Sequence, residues 1–148
     1  MLEVLGLIIL GGGIILLLIA FILYLLGAIG LYKLAKNNGI EHAFLAFIPI
    51  LQAYLIGELI GELKVLNFDI PRPEIVLPVA PIAASIISPV PVIGVLAGIA
   101  LLILNIFAIY KLFSVYTENS ATIYTVLSVV LPFMLPILLF VIRDKKAN

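Results

Sequence analysis

Cysteine and tryptophan are absent from this chain, histidine occurs once, and charged residues are scarce. Without cysteine there are no disulfides, no thiolate nucleophiles and no cysteine-ligated metals. Charged residues make up 11% of the sequence, and eight lysines and arginines balance eight aspartates and glutamates. Domains that bind nucleic acid carry a marked excess of positive charge. This composition therefore argues against nucleic acid as a partner.

The residues that are present are mainly apolar. Apolar types make up 65% of the 148 residues, and the mean hydropathy is +1.38. A soluble domain is about half apolar, and a fold of this size leaves much of its surface exposed. Lipid is the solvent in which such a surface is stable. We therefore expect an integral membrane protein whose main surroundings are the lipid bilayer.

Five apolar segments are separated by polar connectors or prolines. A helix needs about 20 apolar residues to cross ~30 Å of hydrocarbon, and the first, fourth and fifth segments meet that length. The predicted fold class is all-α, a single domain of residues 1–148 forming a polytopic transmembrane helical bundle with five spans. The spans are predicted at about residues 4–32, 43–60, 75–90, 92–113 and 121–142.

An arrangement with three spans is the alternative, because the second and third segments are short and contain proline. In that arrangement residues 43–60 lie at the membrane interface and residues 75–88 enter the bilayer and return. Five spans are preferred, since both segments are apolar on every side.

Cationic residues orient the chain. Lys33 and Lys36 follow the first segment, and Arg143, Lys145 and Lys146 follow the last. Cytoplasmic loops of membrane proteins carry an excess of lysine and arginine. The prediction is a multi-pass protein of the cytoplasmic (plasma) membrane, with its C-terminus in the cytoplasm and its N-terminus outside.

Small residues recur every seven positions in the first segment, at Gly6, Gly13, Ala20 and Gly27. A heptad spacing keeps them on one helix face, and small side chains let helices approach closely in lipid. This pattern predicts a packing face. Its partner is another membrane helix, from this chain, from a second copy or from a second membrane protein.

A second small-residue face lies in the fourth segment. Gly94 and Gly98 are four residues apart, and Asn105 lies seven residues beyond Gly98. An amide without a partner in hydrocarbon costs several kcal/mol. We therefore expect Asn105 to hydrogen-bond across a helix interface, or alternatively to line a polar path.

Gln52, Glu58 and Asn105 are the candidates for a polar path through the membrane. An ionisable residue at membrane depth is a functional hypothesis by default, which singles out Glu58. If residues 43–60 cross as one helix, His42 and Glu58 lie ~24 Å apart at opposite surfaces. No metal site is predicted on these grounds.

No catalytic motif is recognisable. The chain has no nucleophile elbow, zinc-protease motif, phosphate-binding loop or dinucleotide fingerprint. Ser85, Ser88 and Ser128 have no identifiable base nearby in sequence. The prediction is a protein that is not an enzyme and that uses no cofactor.

Residues 31–57 resemble a pattern found in a family of small polytopic bacterial membrane proteins that has no assigned activity. The pattern is an apolar helix, Leu-Tyr-x-x-Ala-Lys, a Gly-Ile turn, and an Ile-Pro-Ile segment followed by an amide and a tyrosine. The resemblance implies a bacterial cytoplasmic membrane and nothing about substrate. The matching positions are Leu31, Tyr32, Ala35, Lys36, Gly39, Ile40, Ile48, Pro49, Ile50, Gln52 and Tyr54.

Two functions fit the sequence. The first is an accessory, scaffolding or assembly subunit that associates with other membrane helices through its small-residue faces. The alternative is a small transporter or channel, as a single chain or a homo-oligomer, with the polar path formed by Gln52, Glu58 and Asn105.

Overall fold

The computed structural model describes residues 1–147. Most of these residues are helical. The α-helices are α1 (Leu2–Asn37), α2 (Pro49–Ile60), α3 (Pro73–Ile87), α4 (Pro91–Tyr116), α5 (Ala121–Val130) and α6 (Met134–Val141). Two short 3₁₀-helices span Ala43–Phe47 and Glu118–Ser120, and the strands are β1 (Leu63–Val65) and β2 (Phe68–Ile70).

Two helices, α1 and α4, are long and apolar enough to cross a membrane. Only 22% of the most apolar window of α1 and 6% of that of α4 is buried, so most of each window is exposed and not packed inside the chain. The five predicted spans are not supported. The predicted spans at 43–60 and 121–142 are broken helices, and the predicted span at 75–90 is a helix of 15 residues.

Helix α1 forms because residues 4–32 are apolar without a proline. Its 36 residues extend about 54 Å at 1.5 Å per residue. The helix ends where the Asn38 side-chain amide donates to the Leu34 carbonyl at 2.7 Å and Gly39 takes a positive φ of 82°. Its first 22 residues contact little else in the chain, whereas its last turns belong to the core.

Residues 43–60 do not form one helix. The chain enters as the 3₁₀-helix, takes an extended conformation at Ile48 and starts α2 at Pro49. Helix α2 then runs back, so that His42 Nε2 and Glu58 Oε2 lie 2.6 Å apart. The prediction that these residues lie at opposite surfaces is therefore wrong, because the segment reverses at Pro49 and does not continue as one helix.

A β-hairpin is the departure from the predicted all-α class. Leu63 pairs with Ile70 and Val65 with Phe68, and Leu66 in the connecting turn has a positive φ of 57°. Leu63 is buried in the core, and β1 packs on α4.

Helices α3 and α4 form an antiparallel helical hairpin. The turn between them is tight, because a Cβ at Gly94 would lie 2.5 Å from the Ser88 carbonyl oxygen. Alanines 80, 83 and 84 of α3 face alanines 97 and 100 of α4 across an apolar groove. Helix α3 extends about 22 Å and α4 about 39 Å.

The predicted fifth span, residues 121–142, is also a reversal. Pro132 follows the end of α5, and α6 begins at Met134. Ser120 and Ile142, at the two ends of this segment, line the same cavity of about 400 Å³. A continuous helix would hold them about 30 Å apart. The segment therefore leaves and returns at one end of the molecule.

Helices α1 and α6 run parallel in close contact. Gly27 packs on Pro136, and Gly30 packs on the backbone of Leu139 and Phe140. The core lies at this end, where α1, α2, α4 and α6 meet. Its largest fully buried side chains are those of Phe113, Leu31, Leu34, Leu55, Leu63, Leu112 and Ile142.

We expect Gly30→Ala to lower the free energy of unfolding by about 1–3 kcal/mol. A methyl group at Gly30 would lie 2.6 Å from backbone atoms of Leu139 and Phe140, and backbone cannot move aside as a flexible side chain does. The measurement is circular dichroism during titration with a denaturing detergent.

Gly12→Ala is the matched control, because nothing lies within 4 Å of a Cβ built there. Alanine has the higher helix propensity, so this variant should be as stable as the original chain or slightly more stable. Equal stability of the two variants would contradict the close packing of α1 on α6.

Candidate functional site

The most developed polar site lies where α2 returns to the end of α1. Ile48 is extended and Pro49 occupies the first turn of α2, a position where its missing amide hydrogen costs nothing. The Gln52 side-chain amide donates to the Ala46 carbonyl at 2.7 Å. This bond satisfies a carbonyl of the 3₁₀-helix and stabilises the change of chain direction at Pro49. That change of direction brings Glu58 to His42.

The His42–Glu58 pair is a short contact between two titratable groups. The imidazole and carboxylate side chains are 39% and 24% exposed, so the pair is half-buried. The Tyr54 ring lies 5.8 Å from the His42 ring, centroid to centroid. The negative charge of Glu58 raises the pKa of the Tyr54 phenol.

A second charged pair lies beside the first. Gly57 packs so closely on α3 that an added Cβ would lie 2.3 Å from the Glu74 Cα. The Glu74 carboxylate accepts a hydrogen bond from Arg72 Nε at 3.3 Å. Arg72 itself has a positive φ of 50°, an uncommon conformation for a residue with a side chain.

This arrangement is a hydrogen bond between an imidazole and a carboxylate. Which histidine nitrogen carries the hydrogen depends on the tautomer. Residues 1–147 contain no group of three histidine, aspartate or glutamate side chains placed to hold a metal ion.

The three residues predicted to line a polar path make separate contacts. Glu58 bonds to His42, and Gln52 bonds to the Ala46 carbonyl. Asn105 donates to the Leu101 carbonyl of its own helix at 2.8 Å and is exposed. The predicted hydrogen bond of Asn105 across a helix interface is therefore not formed within the chain.

The predicted packing face of α1 is used in part. Gly27 contacts Pro136, whereas nothing in residues 1–147 lies within 4 Å of a Cβ built at Gly6 or Gly13. Ala20 is exposed. The role of these three residues in packing stays a prediction, and no described helix of the chain packs on Gly6 or Gly13.

The predicted packing face of α4 is likewise used in part. Gly94 packs on the turn at Ser88, while nothing lies within 4 Å of a Cβ at Gly98. Gly94 therefore stabilises the α3–α4 turn, and Gly98 remains free to contact lipid or another helix.

Sequence reasoning missed the pairing of His42 with Glu58 and the closest glycine contact, that of Gly30. The proline within the apolar run, Pro49, was the feature of the sequence that could have predicted the pairing of His42 with Glu58. Gly30 lies three residues beyond Gly27, on the same helix face, which is the signal for the second.

Comparisons of the chain with protein-family models, with curated proteins and with solved structures find no match. The resemblance of residues 31–57 to the small bacterial membrane proteins stays a prediction, and so does the absence of enzymatic activity.

A double-mutant cycle tests the His42–Glu58 pair. We expect His42→Ala and Glu58→Ala to show a coupling free energy of about 1 kcal/mol, because a side-chain hydrogen bond typically contributes about that much. Unfolding in detergent supplies all four stabilities of the cycle.

The control cycle uses Lys64 and Asp69, whose side chains lie 3.4 Å apart and are 71% and 78% exposed. Exposed ion pairs contribute little, so this coupling should be clearly smaller. If the two cycles gave equal coupling free energies, the His42–Glu58 contact would not stabilise the change of chain direction at Pro49.

Proposed function

We propose that the chain is a multi-pass integral membrane protein that acts as an accessory or assembly subunit, associating with another membrane helix through the first half of α1. Three helices, α1, α3 and α4, cross the membrane in this proposal. The segments 43–60 and 121–142 enter the bilayer and return on the cytoplasmic side.

The distribution of charge supports this placement. Residues 75–110 contain no charged side chain, and neither do residues 4–32. The cationic residues of the first connector and of the C-terminal tail meet at one end of the molecule, where Lys33 Nζ lies 3.5 Å from Asp144 Oδ1. That end is the cytoplasmic end under the positive-inside rule, which places the N-terminus outside.

Helix α3 is shorter than the ~30 Å of hydrocarbon, but it can still cross the membrane for two reasons. Its turn to α4, Ser88 to Pro91, carries no charge and is tolerated close to the headgroups. A short hydrophobic helix is accommodated by local thinning of the bilayer at modest cost.

One observation carries the assembly function. The first half of α1 extends away from the core with nearly every side chain exposed, and Gly6 and Gly13 have open space around them. A membrane helix that only anchors a protein does not need small residues in register. Such residues are typical of faces on which a second helix packs.

We expect Gly13→Leu to reduce association with the partner at least tenfold, because a leucine on this face holds the two backbones apart. The measurement is cross-linking of the tagged full-length chain in its native membrane. Energy transfer between two differently labelled copies in vesicles then shows whether the partner is the chain itself.

Gly11→Leu is the matched control, since residues 11 and 13 point about 160° apart on a helix of 3.6 residues per turn. This variant should associate as the original chain does. If Gly11→Leu and Gly13→Leu behaved alike, the small-residue face would have no part in assembly.

The second candidate function is a small transporter or channel. The observation that favours it is the pair of broken segments at Pro49 and Pro132. Non-helical backbone at membrane depth occurs where it is buried in protein or lines a water-filled path, and transporters use broken helices at their binding sites.

Under this second function, Glu58→Gln should abolish proton or cation flux in proteoliposomes, because the amide cannot take up and release a proton. Asp69→Asn, in the exposed hairpin, is the control and should leave flux unchanged. Purified protein that conducts nothing would remove this candidate and leave the assembly function standing.

A further inference from the structure

Five of the eight lysines and arginines are gathered at one end of the structure. The C-terminal tail is held against the end of α1 by side-chain amides. Asn37 Nδ2 donates to the Arg143 carbonyl at 3.0 Å, and Asn38 Nδ2 donates to the Lys145 carbonyl at 3.1 Å. The basic patch that results consists of Lys33, Lys36, Arg143, Lys145 and Lys146.

The basic patch carries a net positive charge. Asp144 is the carboxylate within it, 3.5 Å from Lys33 Nζ and 3.7 Å from Arg143 Nε. Two further carboxylates lie near its borders. Glu41 lines a cavity with Lys36, and Glu118 lines a cavity with Lys145. With Asp144 and the two bordering carboxylates counted, five cations face three carboxylates, which leaves an excess of two positive charges.

Aromatic rings lie directly beneath the cations. Lys36 Nζ is 5.6 Å from the centre of the Tyr32 ring, and the Arg143 guanidinium carbon is 4.0 Å from the centre of the Phe140 ring. Tyrosine and basic side chains over aromatic rings are typical of the membrane–water interface.

A cavity of about 410 Å³ opens beside the patch, between the end of α1 and the first 3₁₀-helix. Lys36 and Glu41 are its charged lining residues, and Ile40, Ala43 and Phe44 form an apolar wall. The Phe44 ring is 60% exposed. A cation beside an exposed apolar wall matches a phospholipid, which joins a phosphate to acyl chains.

We propose that the basic patch and this cavity bind an anionic phospholipid, with the lipid phosphate at Lys36 and an acyl chain along Phe44. The proposal rests on the membrane placement proposed above, because that placement puts the patch at the cytoplasmic headgroups. Anionic lipids of that leaflet attract clustered lysine and arginine, and the attraction declines within a Debye length.

The test is native mass spectrometry of the full-length chain in a neutral detergent, with phosphatidylglycerol and phosphatidylcholine of identical acyl chains as probes. We expect phosphatidylglycerol to bind at least tenfold more tightly. Lys36→Gln with Lys145→Gln should reduce that affinity about twenty-five-fold, since each cation near the headgroups contributes roughly fivefold. Equal affinities for the two lipids would overturn the proposal.

The matched control is Lys64→Gln with Lys111→Gln, which removes two cations that lie outside the basic patch. Its affinity for phosphatidylglycerol should stay within twofold of the original chain. A loss as large as that of the patch variant would show an effect of overall charge and would overturn the proposal.

Asp144→Asn keeps the test decisive if the patch variant does not fold. Removing this carboxylate should raise the affinity for phosphatidylglycerol about fivefold. An unchanged or lower affinity would count against the patch as the binding surface.

Soluble glycerol phosphate distinguishes a lipid site from a site for free phosphate. We expect phosphatidylglycerol to raise the thermal unfolding midpoint and glycerol phosphate to leave it unchanged. An equal rise with both would replace the lipid proposal with a phosphate site.

Flotation with neutral phosphatidylcholine vesicles separates this inference from the proposed function. A chain that floats with neutral vesicles, resists alkaline extraction and shows no preference for phosphatidylglycerol would overturn the lipid site alone. A chain that does not float would overturn the membrane placement as well.

Discussion

The chain reverses direction three times within its apolar stretches, and each reversal occurs at proline. The first is at Pro49, the second at Pro89 and Pro91, and the third at Pro132. A proline has no amide hydrogen to continue a helix, and its ring clashes with the preceding turn. These reversals decide where each polar connector lies. They bring His42 to Glu58, and they return the residues after α6 to the end of α1, so that one end of the molecule contains the core and most of the charge.

The same apolar residue types occupy two environments as a result. Leu112 and Phe113 of α4 are completely buried, whereas Leu96 and Leu102 of the same helix are about 60% exposed. Exposed apolar surface costs about 25 cal/mol per Å² in water. The core stabilises one end of the molecule, whereas the apolar helices that extend from it are mostly exposed.

The sequence was sufficient for α1 and α4. The segments predicted at 4–32 and 92–113 correspond to Leu2–Asn37 and Pro91–Tyr116, because an uninterrupted apolar run without internal proline leaves few alternatives to a helix. The short β-hairpin was missed, since strands of three residues show too little alternation to be recognised.

The segments at 43–60 and 121–142 were predicted less well for a physical reason. A proline inside an apolar run either bends a helix or ends it, and the result depends on contacts made elsewhere. Here Gln52 bonds to the Ala46 carbonyl, and Pro136 packs on Gly27. Both contacts exist only after the chain has folded. The pairing of His42 with Glu58 depends on the first reversal. It was therefore missed when residues 43–60 were predicted to form one helix.

The contact between α1 and α6 also sets an order for the synthesis of the chain. Helix α1 is made first and α6 last, and the Asn37 side chain bonds to a carbonyl 106 residues further on. At 5–20 residues per second, α6 emerges roughly 5–20 s after α1. During that interval the face containing Gly27 and Gly30 has no partner within the chain. Under the membrane placement proposed above, lipid or a neighbouring helix covers this face of α1 until residues 134–141 have been synthesised.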